Sequence, residues 1–223
     1  MLHDAYLDTY SLHGDSGDTR QHAFQNAMMC SGGKYALLYE SGGTSFRLDT
    51  KHKNVYSKSV DNDIISGTVS DNGTVALITE SSSYACSILV YDNTGKRIYQ
   101  RNCVEYVVDI AFHKDNDGLC FTSVQVENGV MNSTITSVLF HQVDTQWTSM
   151  PLETMSVKSG FSSNDKLCVV GNTACAYYSS TGEMLGTYNY NGTLVSADLE
   201  NGKAALIIQD LSLIHISEPT RLR

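Results

Sequence analysis

IISGTVSDNGTVALITESSSYACSILVYDNTGKRIYQRNC, which spans Ile64–Cys103, alternates short apolar runs with turn-forming residues. Asp71–Gly73 and Asn93–Gly95 lie between such runs. Asp and Asn bond their own backbone in turns and Gly adopts positive φ, so both segments favour hairpins. No apolar set recurs at helical spacing over the length of a helix. The stretch therefore predicts four short β-strands.

A unit of about forty residues with four strands is typical of one blade of a β-propeller. The first turn of this unit recurs along the chain with about the same spacing, and strand-like runs flank each copy. The fold class predicted is all-β: a β-propeller of four-stranded blades, present as about four to five blades and incomplete at both ends. Residues 1–210 form one domain, because no linker divides them. The recurring turns lie at Gly33, Gly73, Gly118, Asp165 and Gly202.

The composition narrows the classes of partner. The chain has 223 residues and a formal net charge of −9, with no cluster of Lys and Arg. Nucleic-acid binding needs a basic surface that displaces counterions, so we expect no nucleic-acid partner. No run of apolar residues is long enough to cross a bilayer, so this sequence contains no direct membrane segment.

The last residues break the strand-and-turn pattern. Leu211–Arg221 reads LSLIHISEPTR, and no turn or further apolar strand follows the run that ends at Gln209. The string resembles the translation of a common transposase-type sequencing adapter letter for letter. We expect residues 211–223 to be an adapter-derived tail rather than native sequence, so these residues carry no functional prediction.

Three segments resemble a bacterial family of propeller-like proteins known as a domain of unknown function, with WD40-like or quinoprotein-like repeats. They are Leu37–Gly43 (LLYESGG), Val75–Tyr84 (VALITESSSY) and Leu89–Lys96 (LVYDNTGK). Members usually carry a basic N-terminus and one transmembrane helix, with the repeats outside the cytoplasmic membrane. The resemblance thus implies a membrane-anchored protein with an extracytoplasmic propeller. It implies no activity.

Catalytic and metal motifs are absent from the sequence. The seven histidines show no HExxH arrangement outside the suspect tail, and there is no GxSxG and no Gly-rich phosphate loop. Asp115–Gly118 looks like half of a calcium loop, but Val126 stands where the final Glu ligand is required. We therefore expect no catalytic residue, no metal and no cofactor.

The first strand of each blade lines the channel of a propeller, so its polar residues are candidates for a site. A ring of small polar groups with a carboxylate could bind an ion, a sugar or a quinone-type ligand; the alternative is a solvated lining. No two carboxylates fall at matching depth in neighbouring blades, as acid–base catalysis would require. Counting back from each turn places these residues at equivalent positions: Ser66, Asp109, Ser159 and Ser196.

Two cysteines are candidates for a disulfide. A hairpin centred on Gly171 and Asn172 would place Cys168 directly opposite Cys175, at a Cα separation within disulfide range. The alternative is that both are small buried hydrophobic residues. The other four cysteines show no CxxC or metal-binding spacing.

Two functions are compatible with the sequence. The first is a non-catalytic scaffold that binds an unknown protein partner through its loops, and an exposed patch around Tyr84 would support it. The second is an enzyme or small-ligand binder at the channel, which loses its main residue if Asp109 is a structural acceptor. The candidate loop residues are Ser81, Ser82, Ser83 and Tyr84, together with Asn128–Met131.

Overall fold

The structure of the protein is a computed structural model that describes residues 1–3, 5–11, 13–162, 164–200 and 203–209. The proposed adapter-derived segment, 211–223, lies outside these residues, as does the predicted turn at Gly202. The described part of the chain contains no helix with the length and hydropathy needed to span a bilayer.

The described residues form strands joined by short connections, and each strand runs antiparallel to its neighbours within a sheet. The strands are β1 Tyr6–Tyr10, β2 Ser16–Gln21, β3 Ala27–Gly32, β4 Tyr35–Glu40, β5 Ser45–Thr50, β6 Asn54–Ser59, β7 Ile64–Val69, β8 Val75–Thr79, β9 Cys86–Tyr91, β10 Arg97–Cys103, β11 Tyr106–Phe112, β12 Gly118–Glu127, β13 Val130–Leu139, β14 Thr145–Thr148, β15 Ser156–Phe161, β16 Leu167–Gly171, β17 Ala174–Tyr178, β18 Met184–Asn189, β19 Thr193–Glu200 and β20 Lys203–Gln209.

These strands form four sheets of four strands in chain order, β3–β6, β7–β10, β11–β14 and β15–β18, which we number blades 1 to 4. Two sheets of two strands, β1–β2 and β19–β20, flank them. The arrangement is part of a β-propeller, and the predicted all-β fold with about four to five blades is confirmed. Ile64–Cys103 forms blade 2, with the four strands that its turns predict.

The core lies in layers between neighbouring blades. Residues of β8 alternate between two such layers, because successive side chains of a strand point to opposite faces. Leu77 packs with Leu37 and Phe46 of blade 1, whereas Ile78 packs with Phe121 of blade 3. Central strands buried on both faces are therefore almost continuously apolar, as the sequence of β8 is.

The connections lie on two faces of the disc. The upper face, as we name it, carries the loops from the second to the third strand of a blade and the links from one blade to the next. Hydrogen bonds join these two kinds of connection: Glu80 N donates to Asp63 O (2.8 Å), and Ala85 N donates to Cys103 O (3.0 Å). The remaining hairpin loops form the lower face.

The register of the hairpin β16–β17 differs from the one on which the candidate disulfide between Cys168 and Cys175 was based. Its turn is Asn172–Thr173, one residue later than the sequence suggests, so Cys168 lies opposite Tyr177 and Cys175 lies opposite Val170. Both thiols are free and buried. A tertiary contact fixes the turn at this position. Thr154 Oγ1 donates to Asn172 Oδ1 (2.8 Å) and accepts from Thr173 N (3.1 Å).

Candidate functional site

The inner strands of blades 2, 3 and 4 and of the β19–β20 sheet share a β-bulge. Near the start of each of these strands, one residue has no partner on the neighbouring strand, and pairing resumes at the next residue. In all four strands the unpaired residue is aliphatic and β-branched. A bulge re-aims the side chains next to it. The repeated irregularity therefore identifies equivalent positions more reliably than counting from turns. The skipped residues are Ile65, Val108, Val157 and Val195.

The bulges correct one of the four channel positions. The residue that resumes pairing is Ser66 in β7, Asp109 in β11, Lys158 in β15 and Ser196 in β19. Ser159 is one residue further along. Counting back from the turn at Asp165 therefore stopped one residue short of the equivalent position in β15, which spans Ser156–Phe161.

Asp109 is a structural acceptor between blades. Its Oδ2 accepts hydrogen bonds from Ser159 N and from Ser159 Oγ, both at 2.5 Å, and so ties β11 to β15. Burial raises the pKa of Asp109 to about 6, against the lowering effect of the Ser159 bonds. The carboxylate is used within the fold, so the channel hypothesis loses the residue on which it depended.

Within the described residues, no hydrogen bond or ion pair joins the other channel positions to one another. Lys158 Nζ pairs with Asp198 Oδ1 at 2.9 Å, which links β15 to β19. Ser66 is partly exposed and Ser196 is exposed, and no hydrogen bond from either side chain occurs among the described residues. Within the same residues, no group of three or more His, Cys, Asp or Glu side chains is placed to hold a metal ion.

A second cluster, on the lower face, has the residue types of a catalytic triad. His113 Nδ1 lies 3.3 Å from Asp117 Oδ1, and His113 Nε2 lies 3.0 Å from Ser137 Oγ. A triad requires the serine hydroxyl to donate to the imidazole and to reach a substrate. Ser137 is 0% exposed, and its hydroxyl donates to Gln146 Oε1 at 2.7 Å. The cluster therefore has no reachable nucleophile and packs blade 3. Sequence motifs did not reveal it.

The most distinctive feature of the upper face is the hairpin β12–β13. Both strands have 10 residues, against 5 or 6 in the corresponding strands of the other blades, so the hairpin projects beyond them. Val124 pairs with Tyr106, and Val126 pairs with Met131. Residues two apart on a strand share a face. One side of the hairpin therefore carries a continuous apolar strip, which we call the ridge: Tyr106, Val124, Val126 and Met131.

A groove of about 700 Å³ runs along the ridge and includes Val104 and Glu105, the link between blades 2 and 3. The loop that contains Ser81, Ser82, Ser83 and Tyr84 ends beside this link, because Ala85 N bonds to Cys103 O. Tyr84 is exposed. The two predicted contact loops, around Tyr84 and at Asn128–Met131, therefore lie on the same face. One lies on each side of the link between blades 2 and 3.

The charges of the two faces differ. Among the described residues, the connections of the upper face carry carboxylates and neither lysine nor arginine, whereas those of the lower face carry both signs. This contrast follows from the sequence once the strands are assigned. The upper-face carboxylates are Asp61, Asp63, Glu80, Glu105 and Glu153, and the lower-face lysines are Lys34, Lys51, Lys53, Lys96, Lys114 and Lys166.

Fold and surface together define a β-propeller with an acidic, partly apolar upper face. The chain belongs to a family of unknown function (DUF5711), whose model matches residues 7–213. This confirms the resemblance to a propeller-like family without an assigned activity. None of the curated proteins matches the chain.

Solved structures with similar folds are propellers of low sequence identity. The complex of KlAtg21 with the coiled coil of AgAtg16 has a TM-score of 0.68 at 12% identity, covering 88% of this chain and 66% of that chain. The Neurospora crassa Pan2 WD40 domain has a TM-score of 0.64 at 10% identity, covering 92% and 67%. Kuenenia stuttgartiensis hydrazine synthase has a TM-score of 0.66 at 11% identity, covering 92% and 78%. These likenesses show the fold alone.

Proposed function

We propose that this protein is a non-catalytic binding platform whose upper face holds a segment of another protein. The observation that supports this most strongly is the ridge, an apolar strip on a hairpin that extends beyond its blade. Exposed apolar side chains grouped in this way mark interaction surfaces in soluble domains. A propeller supplies a rigid support on which loops can present such a surface. KlAtg21, a solved protein of similar fold, is in complex with a coiled coil.

The charge of the upper face specifies the chemistry of the partner. Glu105 lies in the groove, and Glu127 is exposed at the end of the projecting hairpin. Complementary charge speeds association and selects among partners. The occupant we propose is therefore a segment that presents apolar side chains flanked by Lys or Arg.

By family resemblance alone, we further propose that the propeller lies outside the cytoplasmic membrane of a bacterial cell and that a membrane helix anchors the whole protein. A test is protease treatment of intact cells, with cleavage of the propeller followed by an antibody. Digestion without lysis is the result expected, whereas protection until lysis would contradict this topology.

The partner surface can be tested by site-specific photo-crosslinking of the full-length protein in its own cells. Tyr106→p-benzoylphenylalanine places the probe on the ridge. Tyr188→p-benzoylphenylalanine is the matched control, because Tyr188 is 64% exposed and Tyr106 is 69% exposed, yet Tyr188 lies on the outer strand of blade 4. We expect a discrete adduct from Tyr106 and none from Tyr188.

Charge reversal then tests the chemistry of the partner. The double variant Glu105→Lys, Glu127→Lys is expected to reduce the Tyr106 adduct on the order of tenfold, since it repels a cationic segment. Glu183→Lys, on the lower face, is the control and should leave the yield unchanged. Equal adducts from both tyrosines would contradict the site, and an adduct insensitive to charge reversal would contradict the cationic partner.

A further inference from the structure

Two cysteines that show no sequence motif lie directly opposite each other in blade 2. Cys86 is the first residue of β9 and Cys103 is the last residue of β10, and the register pairs them. Directly opposite residues of antiparallel strands have Cα atoms about 4.5–5.5 Å apart, which is within the range that a disulfide bridges. Among the cysteines in the described residues, these are the two that the strand register places opposite each other.

The two side chains also interact. Both residues are buried in the layer between blades 2 and 3. The interaction with the Cys103 thiol lowers the pKa of Cys86, whereas the same interaction together with burial raises the pKa of Cys103. Burial raises the pKa of the Cys30 and Cys120 thiols to about 12. Because the thiolate is the reactive form, Cys86 is the most easily activated of these sulfurs.

We propose that Cys86 and Cys103 form a reversible cross-strand disulfide by exchange with a disulfide-bearing oxidant, either a small-molecule disulfide or a disulfide oxidoreductase. The Cys86 thiolate attacks one sulfur of the oxidant and forms a mixed disulfide, releasing the first thiolate. The Cys103 thiolate then attacks the Cys86 sulfur and releases the second. The two cysteines together lose two electrons and two protons, and the oxidant becomes two thiols.

Access to the buried pair comes from the edge of the sheet. β10 is the outermost strand of blade 2, next to β9, and most of its side chains are exposed or half-buried. Edge strands with few buried apolar contacts open locally at low free-energy cost. Fraying of β10 at Cys103 would expose both sulfurs without unfolding the blade.

The position of the pair links it to the upper face. Cys86 follows the loop that contains Tyr84, and Cys103 precedes Val104 in the groove. A disulfide would join the bases of these two segments covalently. It would also constrain the unfolded chain, so the oxidised protein should melt roughly 5–10 °C higher than the reduced one.

The experiment is peptide mapping of the full chain after equilibration in reduced and oxidised glutathione, quenching and alkylation with N-ethylmaleimide. Trypsin places Cys86 alone in peptide 59–96 and Cys103 alone in peptide 102–114. Under oxidised conditions we expect these two peptides to be joined, with dithiothreitol separating them. Cys168 and Cys175 share peptide 167–203 and should remain alkylated, which serves as the internal control.

Thermal melting of the same samples gives a second readout. The wild type should melt higher when oxidised, and Cys103→Ser should show no difference between the two conditions. The proposal is overturned if both cysteines are alkylated in oxidised glutathione. It is overturned as well if Cys86 carries only glutathione, or if the melting shift persists in Cys103→Ser.

Discussion

Asp49→Ala is expected to lower the free energy of unfolding by about 3–5 kcal/mol, because it leaves the largely buried guanidinium groups of Arg47 and Arg20 without their carboxylate. Asp49 is 0% exposed. Its Oδ2 lies 2.6 Å from Arg47 Nη2 and 3.7 Å from Arg20 Nη1, and its Oδ1 accepts from Asn54 Nδ2 at 2.8 Å. Arg20 belongs to β2, so the carboxylate also holds the β1–β2 sheet against blade 1.

Urea denaturation of purified protein measures this loss. The matched control is Asp198→Ala, which removes the ion pair with Lys158; both partners are well exposed, and such surface pairs contribute little to stability because water screens them. Equal destabilisation by the two variants would contradict the role assigned to Asp49. Limited proteolysis gives a further check, since β2 should be cleaved faster in Asp49→Ala than in Asp198→Ala.

Asp109→Asn is expected to remove a pH dependence of stability from the wild-type protein. An amide oxygen can still accept from Ser159 N and Oγ, so the link between β11 and β15 is retained. The wild-type carboxyl has a pKa of about 6 in the folded protein, raised from 3.8 mainly by burial. A pKa difference of one between the folded and the unfolded protein corresponds to about 1.4 kcal/mol of stability.

The direction in which stability changes with pH follows from the raised pKa of Asp109. Below about pH 4 the carboxyl is protonated in both the folded and the unfolded state, and its contribution to stability is fully present. As the pH rises, the unfolded state ionises first, and this contribution is lost by the time the pH passes about 6. The stability of the wild type relative to Asp109→Asn should therefore fall by about 2–3 kcal/mol between pH 4 and pH 7.

The measurement is urea denaturation of both proteins at several pH values, with the difference taken at each pH so that other titrating groups cancel. Asp198→Asn is the control, because the ion pair with Lys158 lowers the pKa of that exposed carboxyl. Its difference from the wild type should change little and in the opposite direction. A flat difference for Asp109→Asn would show that the carboxyl is not held in a desolvated site.

The sequence alone determined the strand order and the blade repeat. Turn formation at segments such as Asp71–Gly73 is a local property of Asp, Asn and Gly, and it survives in any context that allows a hairpin. The continuous apolar run of β8 likewise predicts a central strand, because a strand whose two faces are both buried carries apolar residues at successive positions. In the same way, Asn128 and Gly129 separate the two long strand-like runs that form the hairpin β12–β13.

Register and long-range pairing were decided by the tertiary structure. Thr154, from the link before β15, shifts the β16–β17 turn, and a bulge between Arg97 and Tyr99 brings Cys103 opposite Cys86. Contacts such as Asp109 with Ser159, 50 residues apart, form only when whole blades stack. A one-residue shift in pairing changes the partner of every side chain along a strand. Local sequence therefore specifies where strands begin and turn, and the packing of blade on blade selects which side chains meet.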